Sequence, residues 1–345
     1  MMNKTEEITL DPRQKTPEVA KFERILRKRI IGQTEAVDRM VEAYQLIQAK
    51  ISPKHRPLSI QLFLGPTGSG KTRTVEAACD LWFGDPSYFT KVNCGEFQNA
   101  HEIAKLIGSP PGYLGHRETP PLLTQETIER YQAGSDLFHV ILFDEIEKAN
   151  ETLFQLLLGI LDKAQCRLGD NRETKFHRSI IIMTSNLRTV EEARKRFSPE
   201  FFNRLDCVVV FKALTPAELL AILELELIAV HDRLCESGHS NIMLQISQEA
   251  RQFLLEEGTD IRYGARHLKR AIEKHLVLPL ANIIATKQIP ENVYVKPIKV
   301  DVEPEEARRF THDTLNFTME VPEIIDVEEE AEVKPKRQRK AAAEA

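Results

Sequence analysis

Apolar residues in this chain recur with two rhythms, and the change between them divides it. After a polar stretch over residues 1–16, Val19, Phe22, Ile25, Leu26 and Ile30 fall at helical spacing, which predicts a mobile N-terminus and then a short amphipathic helix. From about residue 31 to 212, short apolar runs alternate with helical ones. The runs 60–64, 140–143 and 179–184 read as buried strands. Residues 72–82, with Val75, Ala78, Cys79 and Trp82 on one face, read as a helix. Such alternation predicts a mainly parallel sheet covered by helices on both faces, an α/β fold.

Beyond residue 213 the helical rhythm takes over. Thr215-Pro216-Ala217-Glu218 combines an N-cap threonine, a proline at the first helical position and a glutamate at the third, a strong helix start. Leu219, Ile222, Leu223, Leu225 and Ile228 supply its apolar face. Ser247 opens a second helix that ends near Gly258, and Leu268, Ile272 and Leu276 line a third, which Pro279 is expected to kink or end. A late strand is expected over about 293–302. The predicted organisation is a mobile N-terminus 1–16, a large α/β domain 17–212, a smaller mainly helical domain 213–302, and a linker and disordered charged tail 303–345. That tail runs from an acidic block, 328–332, into a basic one, 334–340.

Composition narrows the picture only a little. A chain of 345 residues is long enough for two packed units, and 42% hydrophobic with 29% charged residues is ordinary for a globular protein. A net charge of -5 argues against a nucleic-acid-coating protein, so nucleic acid is not an expected partner. The five cysteines are scattered and form no C-x-x-C pair, as expected of reduced thiols. No apolar run approaches the roughly 20 residues of a membrane span, and no signal core is seen at the N-terminus. A cytoplasmic protein is expected. The histidines lack metal-site spacing, and His267 and His275 are expected at the surface.

The candidate chemistry lies at strand ends. Gly65-Pro66-Thr67-Gly68-Ser69-Gly70-Lys71-Thr72 fills every position of G-x-x-x-x-G-K-[ST] between a predicted strand and a predicted helix. The glycines let successive N–H groups turn toward phosphate oxygens, with the positive end of the helix behind them. Lys71 supplies a cation for the outer phosphates and Thr72 a hydroxyl for Mg²⁺. The run 140–143 stops at Asp144-Glu145, placing two carboxylates where open α/β sheets bind ligands. One would hold Mg²⁺ and the other orient and deprotonate a water, unless the strand simply reaches solvent there. Asn186, after the strand 179–184, either contacts a γ-phosphate or its water, or caps a turn.

Together these pieces resemble the AAA+ ATPases, and more narrowly the Clp unfoldases, especially the second ATPase ring of ClpB and ClpA. The resemblance rests on Ile31-Gly-Gln-Thr-Glu-Ala36, the phosphate loop, Gly108-Ser-Pro-Pro-Gly-Tyr-Leu-Gly115, Phe143-Asp-Glu-Ile-Glu-Lys-Ala149, Met183-Thr-Ser-Asn-Leu187, Pro199-Glu-Phe-Phe-Asn-Arg-Leu-Asp206 and Tyr263-Gly-Ala-Arg-His-Leu-Lys-Arg270, in family order over about residues 20–302. It implies ATP and Mg²⁺ as ligands, with Asp144 serving the metal, Glu145 polarising water, Asn186 sensing the γ-phosphate and Ile31 beside the nucleotide. It further implies Arg204 as a finger reaching a neighbouring subunit's nucleotide, and Arg266 as a second sensor in the same subunit. The plainer alternatives are an Arg204–Asp206 pair and a solvated face for Arg266.

The same resemblance implies a homo-oligomeric ring, hexameric in the family, in which Tyr113, flanked by Gly112 and Leu114, projects into the channel and grips an extended polypeptide; a buried loop tyrosine is the alternative. The implied function is ATP-driven protein remodelling by threading, with an adaptor protein as a further partner. An ATP-dependent assembly or binding switch without threading is the second possibility. Because the module begins almost at residue 1 of this sequence, a receptor domain and a first ring ahead of it are not expected. Only eleven residues separate Asn186 from Ser198, too few for the hydrophobic loop that docks a ClpP-type peptidase, so no such partner is expected.

Overall fold

A computed structural model describes residues 11–51, 53, 55–109, 121–130, 138–259, 264–289, 296–302 and 315–319. Tyr113, Gly112, Leu114 and the charged tail beyond 319 lie outside the described residues.

The chain opens with α1 (Pro17–Arg29) and α2 (Thr34–Ala49). It continues through β1 (Ser59–Leu64), α3 (Lys71–Phe83), β2 (Thr90–Asn93) and two single turns, α4 (Ala104–Ile107) and α5 (Gln125–Ile128). Next come β3 (His139–Asp144), α6 (Glu151–Lys163), a hairpin of β4 (Gln165–Arg167) and β5 (Glu173–Lys175), β6 (Ser179–Ser185), α7 (Val190–Arg196), α8 (Pro199–Phe202) and β7 (Cys207–Val210). The main sheet has the order β2-β3-β6-β1-β7, and every pairing in it is parallel. Its central strands are buried almost end to end and mostly apolar because both faces are covered, as such sheets require. Phe63, Val140, Leu142, Ile180 and Ile182 pack on one side under α1–α3, and Leu62, Phe143, Ile181 and Met183 on the other under α6. Parallel pairing brings the C-terminal ends of β1, β3 and β6 to one edge, and that edge carries the chemistry.

His139 opens β3 with 2% of its surface exposed and no hydrogen-bond partner for either ring nitrogen. Burial, with some help from the Arg178 charge, pushes its pKa down to about 4. The folded chain therefore keeps the imidazole neutral, whereas the unfolded chain takes up a proton near pH 6.5. Stability is unaffected by this group above about pH 6.5 and falls as pH drops toward 4, by roughly 3 kcal/mol in all. Melting temperatures measured across that window should fall more steeply for the wild-type chain than for His139→Phe; equal slopes would exclude the assignment.

The second unit begins with α9 (Pro216–Glu236), capped reciprocally as its sequence predicts: Thr215 N donates to Glu218 Oε2 (2.7 Å) and Glu218 N to Thr215 Oγ1 (3.3 Å). Its buried stripe is Leu219, Leu223, Leu227 and Val230. Ile228, expected on that face, is 58% exposed, because at about 100° per residue it lies opposite Leu219. α10 (Gln248–Gly258) follows its N-cap Ser247, then α11 (Ala265–Ile272) and α12 (Leu278–Ala285). Pro279 neither ends nor interrupts this last helix. A π turn, Glu273–Val277, shifts the hydrogen-bond ladder so that the proline falls in the first turn of α12, where its missing N–H costs nothing. His275, expected at the surface, is buried there with its ring edge-on to Phe253.

This unit is less purely helical than expected. β8 (Ile242–Ile246) pairs in parallel with β9 (Lys296–Val302), which pairs antiparallel with β10 (Leu315–Met319). Ordered structure thus passes residue 302 into the span read as linker and tail, anchored by the buried side chain of Leu315.

Candidate active site

The loop after β1 turns at Gly65, whose φ of 143° is open to glycine alone. A Cβ there would lie 2.6 Å from the Phe211 carbonyl oxygen, so the loop passes the end of β7 with no room for a side chain. Thr72 stands in the first turn of α3. Lys71 is buried and folds over the loop: Nζ donates to the carbonyls of Gly65 (2.6 Å) and Pro66 (3.0 Å) and to Asn186 Oδ1 (3.3 Å). Burial pushes its pKa down to about 8, against the upward pull of Glu147, Asp144 and Glu145.

Asp144 and Glu145 emerge beside it. Burial disfavours the charge on Asp144, but hydrogen bonds from Lys91 and Thr184 outweigh it and hold the carboxyl below its usual range. Thr184 Oγ1 donates to Asp144 Oδ1 and accepts from the Glu145 N–H (3.2 Å). Glu145 has φ 57°, a left-handed conformation uncommon for a side chain of its size and one that clusters at functional sites. Its carboxylate is held on both sides, by Lys148 Nζ (2.6 Å) and Asn186 Nδ2 (3.3 Å).

Asn186 therefore does more than cap a turn. Its Oδ1 accepts from Lys71 and from Thr67 Oγ1 (3.2 Å), and its amide reaches Glu145, joining the phosphate loop to the carboxylate. The strand order causes this, since β6 lies between β1 and β3. Lys91 and Gln33 were not singled out from sequence. Gln33 is buried, and its side chain donates to the carbonyls of Ser69 (3.2 Å) and Lys212 (2.9 Å), fastening the loop to the segment that leads into the second unit. Ile31 points to the right segment, but Gln33 makes these contacts.

The second unit closes over the loop. Ala265 N donates to the Gly68 carbonyl (3.3 Å), and a Cβ on Gly264 would sit 2.8 Å from that oxygen, so the start of α11 rests on the loop backbone. Arg266 is exposed on that first turn, and its charge is felt at Lys71, where it adds to the downward pull. Between the units runs a cleft of about 190 Å³ lined by Thr67, Ser69, Leu214, Pro216, Leu219 and Gly264. A larger cavity of about 480 Å³ lies between α2 and β7, at the opposite ends of the strands, and contains none of the loop residues.

Arg204 lies apart from this group. It donates to the Glu200 carbonyl (2.8 Å) and carboxylate (3.0 Å) and pairs with Asp162 (3.5 Å). The Arg204–Asp206 pair is not formed: Asp206 takes Arg56 (2.7 Å) and the Ile60 N–H (2.8 Å) instead.

No group of three or more His, Cys, Asp or Glu side chains among the described residues could hold a metal ion unaided. One ionised carboxylate, Asp144, and one hydroxyl at a helix start, Thr72, nevertheless suit Mg²⁺, which takes its other ligands from phosphate and water. No helix among the described residues is long and apolar enough to cross a membrane.

A parallel sheet with a phosphate loop after one strand, acidic residues ending a second, an asparagine ending a third and a lid of helices define a P-loop ATPase of the AAA+ class. Residues 56–208 match the AAA domain of the Cdc48 subfamily, and residues 214–296 match the C-terminal D2-small domain of the ClpB protein. The chain belongs to the Clp-type AAA+ ATPases and is built like the second ATPase module of ClpB. It is 36% identical over 290 residues to the chaperone protein ClpB of Meiothermus ruber, covering 78% of this chain and 33% of that one. With ClpB of Aquifex aeolicus it shares 36% identity over 301 residues, 80% of this chain and 29% of the relative. It therefore spans about a third of the length of these relatives. A closed-state cryoEM reconstruction of Hsp104 with ATPγS and FITC casein aligns with a TM-score of 0.72 and 26% identity, over 88% of this chain and 52% of that one.

Proposed function

We propose that this chain hydrolyses ATP at a site completed by a neighbouring copy, and uses the cycle to pull polypeptide through the channel of a ring, hexameric as the family resemblance implies. The observation that carries the reading is Asn186, hydrogen-bonded at once to the phosphate-loop lysine and to Glu145.

In this reading the backbone N–H groups of residues 67–72 surround the β- and γ-phosphates. Lys71 leaves the loop carbonyls for the phosphate oxygens. Thr72 and Asp144 would hold Mg²⁺, which would supply charge neutralisation for the phosphates. Glu145 accepts the proton of the water that attacks the γ-phosphorus, the β–γ oxygen leaves with ADP, and Asn186 orients the water and the departing phosphate. The apolar walls of the cleft, Leu214, Pro216 and Leu219, receive the base. Arg266 approaches the phosphates from the lid of the same subunit. Arg204 serves the neighbour's nucleotide, as its position supports: its partners Glu200 and Asp162 belong to α8 and α6, not to this subunit's phosphate loop.

Tyr113 is the residue expected to grip substrate. The solved Hsp104 relative, imaged with a nucleotide analogue and with casein, favours a protein substrate over a pure assembly switch. In this reading an adaptor protein delivers substrate, and a ClpP-type peptidase is not expected. Tyr113→Ala should slow unfolding of a tagged, folded substrate by more than about tenfold while ATP turnover continues, because tyrosine offers contact area with few rotors to freeze. Unfolding at the wild-type rate would remove threading and leave the assembly switch.

A further inference from the structure

One wall of the site, the end of β2, has no part in the chemistry above. Lys91 sits two residues before Asn93, which pairs in register with Asp144. Its Nζ lies 2.8 Å from Asp144 Oδ2, and Thr184 engages the other oxygen. Both oxygens of the carboxylate assigned to the metal are thus taken by the chain itself. The two partners differ in kind. Thr184 is fully buried on β6 and also holds the Glu145 N–H, so it is a fixed part of the frame. Lys91 is 47% exposed along its side chain, against 21% for Asp144, and an ammonium on a four-carbon stem is a movable point charge.

We infer that Lys91 is a positioning residue that stands in for the metal: it holds the Asp144 carboxylate in place while Mg²⁺ is absent and must give way when the magnesium–nucleotide complex binds. The inference rests on the reading of Asp144 as the metal's carboxylate. Lys91 and Mg²⁺ compete for one carboxylate, so displacing Lys91 from Asp144 subtracts from the affinity gain that Mg²⁺ brings to nucleotide binding. A mere surface ion pair would leave that gain untouched.

The test is the binding of a fluorescent ADP analogue to the full chain in EDTA and across a titration of free Mg²⁺. The readout is the ratio of the two dissociation constants. Lys91→Met is expected to raise that ratio, EDTA over Mg²⁺, about tenfold, because the metal no longer has to displace an ion-paired ammonium from Asp144. Lys91→Arg should restore the wild-type value, and Lys91→Gln, a second neutral variant, should agree with Lys91→Met. In an Asp144→Asn background Lys91→Met should change nothing, because its effect passes through that carboxylate. Melting in EDTA verifies that each variant is folded. An unchanged ratio in both neutral variants overturns the inference, as does an equal effect in the Asp144→Asn background. If the wild-type chain binds the analogue under neither condition, the nucleotide site itself is refuted and the inference falls with it.

Discussion

Glu145→Gln is expected to bind ATP as tightly as the wild-type chain and to hydrolyse it roughly 10³-fold more slowly, the usual scale for removing a positioned general base. The replacement keeps the shape of the side chain and one acceptor oxygen, which serves one of the two donors, the Asn186 amide or the exposed Lys148, so most of the frame around it survives. What it loses is the capacity to take a proton. Single-turnover hydrolysis beside equilibrium binding separates the two effects. A loss of only a few-fold would mean that Glu145 orients its neighbours and that another group receives the proton. A loss of binding would mean that the left-handed turn at Glu145 depends on the charge.

Arg204→Ala is expected to cost 10³- to 10⁵-fold in hydrolysis if the guanidinium acts as an arginine finger. Its effect on folding should be small. The contacts it would give up, with Glu200 and Asp162, involve carboxylates that are more than half exposed, and such pairs contribute about 1 kcal/mol or less. Thermal melting should therefore barely change while turnover collapses, and ATP binding by dilute, unassembled chains should match the wild type. A structural role would give the reverse pattern, with lower melting temperature and activity lost in proportion.

Much of this site was legible because its parts are local. The phosphate loop needs only eight consecutive residues, and Asp144-Glu145 announces itself by ending an apolar run. The link through Asn186 was not legible in the same way. It exists because β6 is inserted between β1 and β3, and strand order leaves no local trace in sequence. Lys91 was invisible for a related reason: one lysine in a four-residue strand looks like any exposed edge until the register sets it beside Leu142, two residues before Asp144 and within reach of its carboxylate. Gln33 lies within a segment that family resemblance highlighted, yet its 179-residue reach to Lys212 is a tertiary fact.

The second unit shows where periodicity misleads. The spacing of Leu219 and Leu223 was sound, but Ile228 was added to the face by its hydrophobicity rather than its angle. β8 and β10 are five-residue strands; β8 is far in sequence from its partner β9, and residues 303–314 separate β9 from β10, so no tight-hairpin signal announces them. Pro279 read as a break because a proline interrupts an α ladder; a π turn supplies the extra residue that absorbs it.

The central claim is that one active site draws on two copies of the chain, and mixing the two inactive variants tests it most directly. Glu145→Gln chains keep the arginine, and Arg204→Ala chains keep the glutamate. In co-assembled rings, an interface that joins an Arg204→Ala nucleotide site to a Glu145→Gln neighbour has every part. Random mixing in equal amounts should therefore restore about a quarter of wild-type ATP hydrolysis, since one interface in four has that composition. Activity that stays at the level of the separate variants, in mixtures shown to contain both chains in one assembly, would contradict a site shared between subunits.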